Sequence, residues 1–405
     1  MPVDRPVLDV DGVRSLARAA FAPGNEQLWG LEVETVVERR TPPHHRPRPA
    51  ELPDRDALPG GSSVTVEPGG QLEISTPPRR SIDAALDVLA ADEAALATRI
   101  AAAGLRPVAC AVDLRHEPSR VLDLPRYRAM EAFFDARGPE GRQMMCNTAS
   151  FQINVSNHPT DVAGRWRLLH RLAPLLVATF ANSPGLDRHG VRWACLRQRI
   201  WAGIDPRRTG APDPTRDPVE AWTRYVLDAD VMLIGAGADT AVGLPPGLPF
   251  GRWLRDGHPA GWPTPADLAY HMTTLFPPVR PRGWLELRVL DAMPAEVREV
   301  AALVVAAAVT EPAASTLAAR LPCTASRWSA AARHGLDDPA LAEAADLLFG
   351  VVVRTLPAVT DRADRIERVL RFHAEHVRRA TARPRVRALP LRSFEPAEQL
   401  LQEHA

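Results

Sequence analysis

The side chains in this chain with the clearest chemical potential are acids and amides that recur at every second position. Glu32 and Glu34 stand two apart in Gly30-Leu-Glu-Val-Glu34, with Leu31, Val33 and Val37 on the opposite parity. Glu73 lies between Leu72 and Ile74, after Gly69-Gly70-Gln71. Gln152 and Asn154 alternate with Phe151, Ile153 and Val155, and Glu286 and Arg288 alternate with Leu285, Leu287 and Val289. On a strand, side chains two apart share one face with their roots roughly 6.5–7 Å apart. Clustered carboxylates repel, so a shared acidic face becomes favourable when cations neutralise it. Carboxylate and amide oxygens suit hard Mg²⁺ or Mn²⁺ better than zinc. A second cluster falls in residues 193–201, where Arg197, Arg199 and Trp201 share a face if the backbone is extended. Guanidinium forks there would grip carboxylate or phosphate.

These residues need a scaffold, and the alternation supplies one. The stretches Gly30–Glu38, Gln71–Ser75, Ser150–Ser156 and Trp284–Asp291 each carry an aliphatic face and a face of Glu, Gln, Asn or Arg. One such strand is most simply part of a half-exposed antiparallel sheet. Together, beside glycine and tryptophan, they point to a polar sheet face lining a ligand cleft, with helices covering the other face. That is an α+β class. Bland readings stay open for individual residues. Arg288 beside Glu286 is equally a structural ion pair, the arginines of 193–201 equally a salt-bridged surface, and Trp201 and Trp284 equally core aromatics. His44 and His45 sit in a proline-rich loop, and His271 reads as a structural helix residue.

Helical spacing is plain from Ile82 to Ile100, with Ser81 as N-cap and Gly104 just past the end. Arg165–Ala181, Ala295–Val309, Pro339–Arg354 and Val359–Ala380 are further expected helices, so a mostly helical part runs from about 295 to 405. Thr41–Gly61, Asp205–Pro218 and Gly243–Pro265 are rich in proline and glycine and read as long surface loops. Candidate site residues lie on both sides of them, which argues for one catalytic domain over 1–405.

Composition narrows the chemistry. The 405 residues are 45% hydrophobic and 24% charged, with 49 basic and 49 acidic side chains, a globular profile. Zero net charge gives no global pull toward nucleic acid or an anionic membrane. Every basic residue is arginine; lysine is absent. Lysine-dependent phosphate loops, Schiff bases and carrier attachments are therefore excluded, and any phosphate must be held by arginine, backbone N–H or metal. Cys110, Cys146, Cys195 and Cys323 are widely spaced, which fits a reducing cytoplasm and no zinc knuckle. The first residues have no apolar signal-peptide core, and apolar runs near 172–181 and 300–309 are too short to span a bilayer.

In order along the chain stand Gly30-Leu-Glu-Val-Glu34, Gly69-Gly-Gln-Leu-Glu-Ile-Ser75, Pro125-Arg-Tyr-Arg-Ala-Met130, Cys146-Asn-Thr-Ala-Ser-Phe-Gln-Ile-Asn154, Asn182-Ser-Pro184, Arg197-Gln-Arg-Ile-Trp201, Arg208-Thr-Gly210 and Trp284-Leu-Glu-Leu-Arg288. In this ordered set the chain resembles the glutamate–cysteine ligases of the plant and actinobacterial type, most of all the branch serving ergothioneine biosynthesis. Joint occurrence makes the match specific, although each segment alone is weak. The resemblance implies a glutamine-synthetase-like fold: a curved antiparallel sheet with a polar concave face, backed by helices. It implies ATP-dependent phosphorylation of the γ-carboxylate of L-glutamate and attack by the amine of L-cysteine, with ATP and Mg²⁺ as cofactors. Another carboxylate–amine ligase of the same fold, with a different acceptor, is the alternative.

The roles implied are these. Glu32, Glu34 and Glu73, with Gln152, hold metal, and Asn154 and Glu286 are further ligands. Glu34, Arg197 and Arg288 are catalytic. Arg197, Arg199, Thr148 and Trp201 bind the amino-acid substrates, and Arg126, Tyr127, Arg288 and Trp284 bind the nucleotide. The plant-type pattern has lysine near Arg126–Tyr127, where this chain has only arginine. It also has a glycine-rich continuation where this chain reads Val289-Leu-Asp-Ala-Met-Pro294.

Overall fold

Period-two alternation builds the centre of the molecule. In the computed structural model, which describes residues 8–235 and 242–382, seven strands form one antiparallel sheet. They are β1 (Trp29–Arg39), β2 (Ser63–Val66), β3 (Leu72–Ser75), β4 (Leu105–Val108), β5 (Ser150–Ser156), β6 (Val279–Pro281) and β7 (Trp284–Asp291). Their order is β6-β7-β5-β1-β3-β2, and β4 pairs with the far end of β1. β1 is thus central: its first half runs between β3 and β5, and its second half turns to β4.

The expected aliphatic set forms the covered face. Leu31, Val33, Leu72, Ile74, Phe151, Ile153, Val155, Leu285 and Leu287 are all buried in one cluster. The helix Val162–Thr179 packs across β7, and Ala295–Ala308 and Pro339–Thr355 pack behind it. Each fully buried aliphatic side chain contributes about 1.5–3 kcal/mol. A one-residue slip of β1 would turn Leu31 and Val33 outward and Glu32 and Glu34 inward, so burial on one face fixes the acids on the other.

The helices follow their expected caps with shifted ends. Ile82–Ala102 is capped by Ser81, whose hydroxyl accepts from the Ala84 N–H. Val162–Thr179 starts before Arg165 because Asp161 caps it. Pro339–Thr355 is capped by Asp338. The stretch expected as one helix from Val359 starts at Ala363 and reaches Ala382 through a π-helical turn at His373–Val377. Residues 383–405 of the expected helical part lie outside the described residues.

The loop readings need correction. Thr41–Gly61 contains a 3₁₀ turn at Pro49–Glu51, Asp205–Pro218 opens with the short helix Pro206–Thr209, and Gly243–Pro265 contains the helix Phe250–Asp256. Proline stands at the first turn of the first two, where its fixed φ favours helix entry. Among the described residues no single helix is long and apolar enough to cross a membrane.

Candidate active site

The register of the sheet decides which polar side chains meet. Glu34 lies directly opposite Glu73, and Glu32 lies between Ser75 on one side and Gln152 on the other. Asn154 sits between Gly30 and Glu286. The six residues expected as metal ligands, Glu32, Glu34, Glu73, Gln152, Asn154 and Glu286, therefore share one face. Directly opposed carboxylates, with Cβ atoms about 4.5–5.5 Å apart, destabilise a sheet. Stability alone does not account for the Glu34–Glu73 pair.

Neighbours hold these acids apart. The Ser150 N–H donates to Glu34 Oε2 at 2.8 Å, and the Asn154 amide donates to Glu32 Oε1 at 2.8 Å. The Thr65 hydroxyl donates to Glu73 Oε1 at 3.0 Å. Among the described residues no three acid, histidine or cysteine side chains meet at a single metal-binding point.

The charge state shows the strain of this arrangement. Burial first, then Glu286 and Glu73, push the Glu32 carboxyl up to about 7. Burial also raises Glu34, against the pull of Arg197 and Arg288. Glu73 is raised by burial and by Glu34. A fourth acid, Glu67, belongs with them: burial, Glu73 and Glu34 lift it to about 8. Clustered acids so reluctant to ionise fit a divalent cation, which would reverse the penalty.

Sequence reading missed Glu67, although the signal was present. Val64 and Val66 alternate with Thr65 and Glu67, and Thr65 pairs with Glu73. Glu67 continues that face into a tight turn closed by hydrogen bonds from the Glu67 N–H to the Gln71 carbonyl and the Gly70 N–H to the Glu67 carbonyl. Gly70 has φ +86°, and a Cβ on Gly69 would lie 2.3 Å from the Cys146 carbonyl oxygen. Glycine is required at both positions. Arg46, from the supposed surface loop, is buried here and donates to the Gly69 and Cys146 carbonyls.

Across the sheet the acids give way to arginine. Burial alone would raise Glu286, but Arg280, Arg288 and Arg282 outweigh it and hold the carboxyl at about 2. Arg280 binds it through two nitrogens, at 2.5 and 3.0 Å, and Arg288 lies 3.2 Å away. Glu286 thus anchors arginines and is a poorer candidate ligand than the other acids. Arg288 also donates to Gln152 Oε1 at 2.7 Å. Arg197 is buried, and its Nη2 donates to the Arg288 carbonyl at 3.0 Å. Among the described residues Arg197 Nε and Nη1, Arg288 Nε, Arg126 Nε and Trp201 Nε1 are buried without a hydrogen-bond partner. Buried donors of this kind cost about 1–3 kcal/mol each when left unmet, more when charged. An anionic ligand would satisfy the charged ones.

The segment carrying Arg197 is the helix Leu196–Ile204, not an extended stretch. Helical geometry separates positions two apart. Arg197 therefore faces the sheet and lies over Trp201, one turn along, at 5.5 Å from the ring. Arg199 points elsewhere, to Asp187 at 3.5 Å, Glu140 at 4.0 Å and the Trp193 ring at 5.7 Å. It is a structural ion pair in this arrangement, so the expected shared face of Arg197, Arg199 and Trp201 is overturned. Trp201 also lies under Arg288, at 5.8 Å, and meets Phe276 edge-on.

The remaining candidates line the edges. The Thr148 hydroxyl donates to the Met144 carbonyl at 2.7 Å, so it serves the end of the helix Glu140–Asn147. Trp284 is 38% exposed, with its indole N–H donating to Asn154 Oδ1 at 3.1 Å. Arg126 lies over the rings of its neighbour Tyr127 at 5.9 Å and of Tyr270 at 5.7 Å. It lowers the Glu67 carboxyl behind the larger effects of burial and the neighbouring acids, so this edge adjoins the acidic half. Tyr270 was not anticipated, because it lies far away in the chain.

A model of glutamate–cysteine ligase family 2 matches residues 28–378. The glutamate–cysteine ligase EgtA of Mycobacterium tuberculosis is 39% identical over 345 residues, covering 81% of this chain and 79% of its own. That of Mycolicibacterium smegmatis is 40% identical over 341 residues, covering 81% and 80%. The chloroplastic glutamate–cysteine ligase of Brassica juncea is 28% identical over 252 residues, covering 58% of this chain and 47% of its own. Among solved structures, the glutamate–cysteine ligase of Francisella tularensis in complex with AMP superposes with a TM-score of 0.54 at 15% identity, covering 89% of this chain and 84% of that one. A bifunctional glutathione synthetase from Pasteurella multocida gives a TM-score of 0.51 at 14% identity, and there the match covers 90% of this chain but 50% of that one. At such identities the likeness is one of fold, and it agrees with the expected α+β architecture.

Proposed function

The chain belongs to glutamate–cysteine ligase family 2, and from that premise we propose how its polar sheet face works. The reaction is ATP-dependent: the γ-carboxylate of L-glutamate is phosphorylated, and the amine of L-cysteine displaces phosphate to give γ-glutamylcysteine and ADP. We assign the product to ergothioneine biosynthesis, as the resemblance to the actinobacterial branch implies. The single observation that carries the reading is the meeting on one face of four acids raised above the usual carboxylate range with buried arginine donors lacking partners.

Mg²⁺ or Mn²⁺ would supply charge neutralisation for phosphate and carboxylate oxygens, and Glu32, Glu34, Glu67 and Glu73 with Gln152 would hold it. Phosphoryl transfer asks chiefly for positioning and charge stabilisation. Arginine provides both in a chain without lysine. Arg197 grips a carboxylate oxygen of glutamate, and Arg288, held by Glu286, steadies the phosphates. Trp201 walls the amino-acid pocket beneath both guanidinium groups. Arg126 and Tyr127, with Trp284 on the opposite edge, border the nucleotide.

The test is phosphate release by the enzyme with ATP, Mg²⁺, L-glutamate and a panel of amines. Cysteine is expected to stimulate release above every other amine. Equal stimulation by another amine would replace the acceptor, and glutamate conversion without ATP would point to a hydrolase.

A further inference from the structure

β7 carries one residue too many. Leu287 pairs with Ile153, but Leu290 pairs with Phe151, so three steps on β7 match two on β5. This bulge has two effects. It turns the Arg288 and Val289 carbonyls toward the helix Leu196–Ile204, where Arg197 Nη2 and the Gln198 amide donate to them at 3.0 and 3.1 Å. It also reverses parity, so Asp291 pairs with Ser150 and takes the polar side of the sheet. Unbulged, Asp291 would share parity with Leu285 and Leu287 and face the core.

Asp291 is 1% exposed and well provided with donors. Oδ2 accepts from the Asn182 N–H at 2.8 Å and the Ser183 hydroxyl at 2.7 Å. The Cys195 thiol donates to the carboxylate at 3.2 Å, and Arg197 Nη1 lies 3.8 Å from Oδ1. Ser183 joins both residues, since its oxygen also accepts the Arg197 backbone N–H at 3.1 Å. Arg197 is thus held by its backbone through Ser183, by Nη2 on the bulged carbonyl, and by charge beside Asp291. Its Nε and Nη1 keep no hydrogen bond of their own.

We propose that Asp291, with Ser183, is a positioning residue that aims the free Nε and Nη1 of Arg197 at the carboxylate of the amino-acid substrate. The proposal rests on the reading of Arg197 as the glutamate grip. Asp291→Asn keeps the size but places an amide where donors now converge. The glutamate KM is expected to rise roughly 10–10²-fold, with the ATP KM nearly unchanged. Ser183→Ala, which leaves the carboxylate in place, should raise it in the same direction by a smaller factor. The deciding measurement is each substitution in an Arg197→Gln background. A residue that acts through Arg197 adds nothing once Arg197 is gone, whereas a general structural defect persists there. Unchanged glutamate KM in both Asp291→Asn and Ser183→Ala overturns the proposal, as do increments that survive in the Arg197→Gln background. If Arg197→Gln alone leaves the glutamate KM unchanged, the reading of Arg197 is what fails.

Discussion

The two halves of the polar face use the same residue type to opposite ends. Around β1, β2 and β3, Glu32, Glu34, Glu67 and Glu73 crowd together with few cations and are held above the ordinary carboxylate range. Across β5, on β7, Glu286 meets three arginines and is held at about 2. A glutamate's position on the sheet does not fix its role; the charge that compensates it does. An acid compensated within the chain is part of the framework. An acid left wanting a cation is the better candidate for the site.

The sharpest way to break this contrast is to neutralise one acid from each half. Glu34→Gln is expected to lower kcat by about 10³-fold, with weaker Mn²⁺ binding and an unchanged thermal midpoint. Glu286→Gln leaves buried arginines without their partner and should cost roughly 3–5 kcal/mol of stability in urea unfolding. If Glu34→Gln unfolds the protein while Glu286→Gln is silent, the two halves have been assigned the wrong way round.

A subtler difference is in pH. Glu32 and Glu67, at about 7 and 8 against an ordinary 4.5, favour the protonated form in the folded state. Their contribution is complete below 4.5 and is lost as pH rises through about 7 to 8. The metal-free protein should therefore lose thermal stability between about pH 5 and pH 9, and Mg²⁺ should restore it. Glu286 has the opposite sign: its contribution is present above 4.5 and is lost as pH falls toward 2. A metal-free midpoint that stays flat between about pH 5 and pH 9 would remove the case for strained acids.

The smallest effect expected is that of Arg199→Gln. Its partners Asp187 and Glu140 lie outside the acidic face, so the glutamate KM should stay within about twofold of the parent value. A large rise would return Arg199 to the substrate pocket.

Much of this was legible in the chain. Alternation around Leu31, Leu72, Phe151 and Leu285 gave four strands and their polar faces, because one covered face forces period two. β4 and β6, of four and three residues with a proline in each, gave no period to read, whereas β2 carried its alternation in Val64 and Val66 against Thr65 and Glu67. The shared face of Arg197, Arg199 and Trp201 was conditional on an extended backbone; the segment has one β-branched residue, Ile200, and folds as helix.

What the sequence determined by itself was an inventory and a pattern: arginine as the only strong base, acids and amides on one side of each strand, and motifs in an order that named a family. Tertiary structure decided which acids oppose one another, which are compensated and which are not. It also decided that one extra residue in β7 sends Asp291 to the side where Arg197 waits. Register joins residues more than a hundred positions apart, as Glu32 with Gln152 and Asp291 with Ser150, and a local pattern carries no information about partners at that distance.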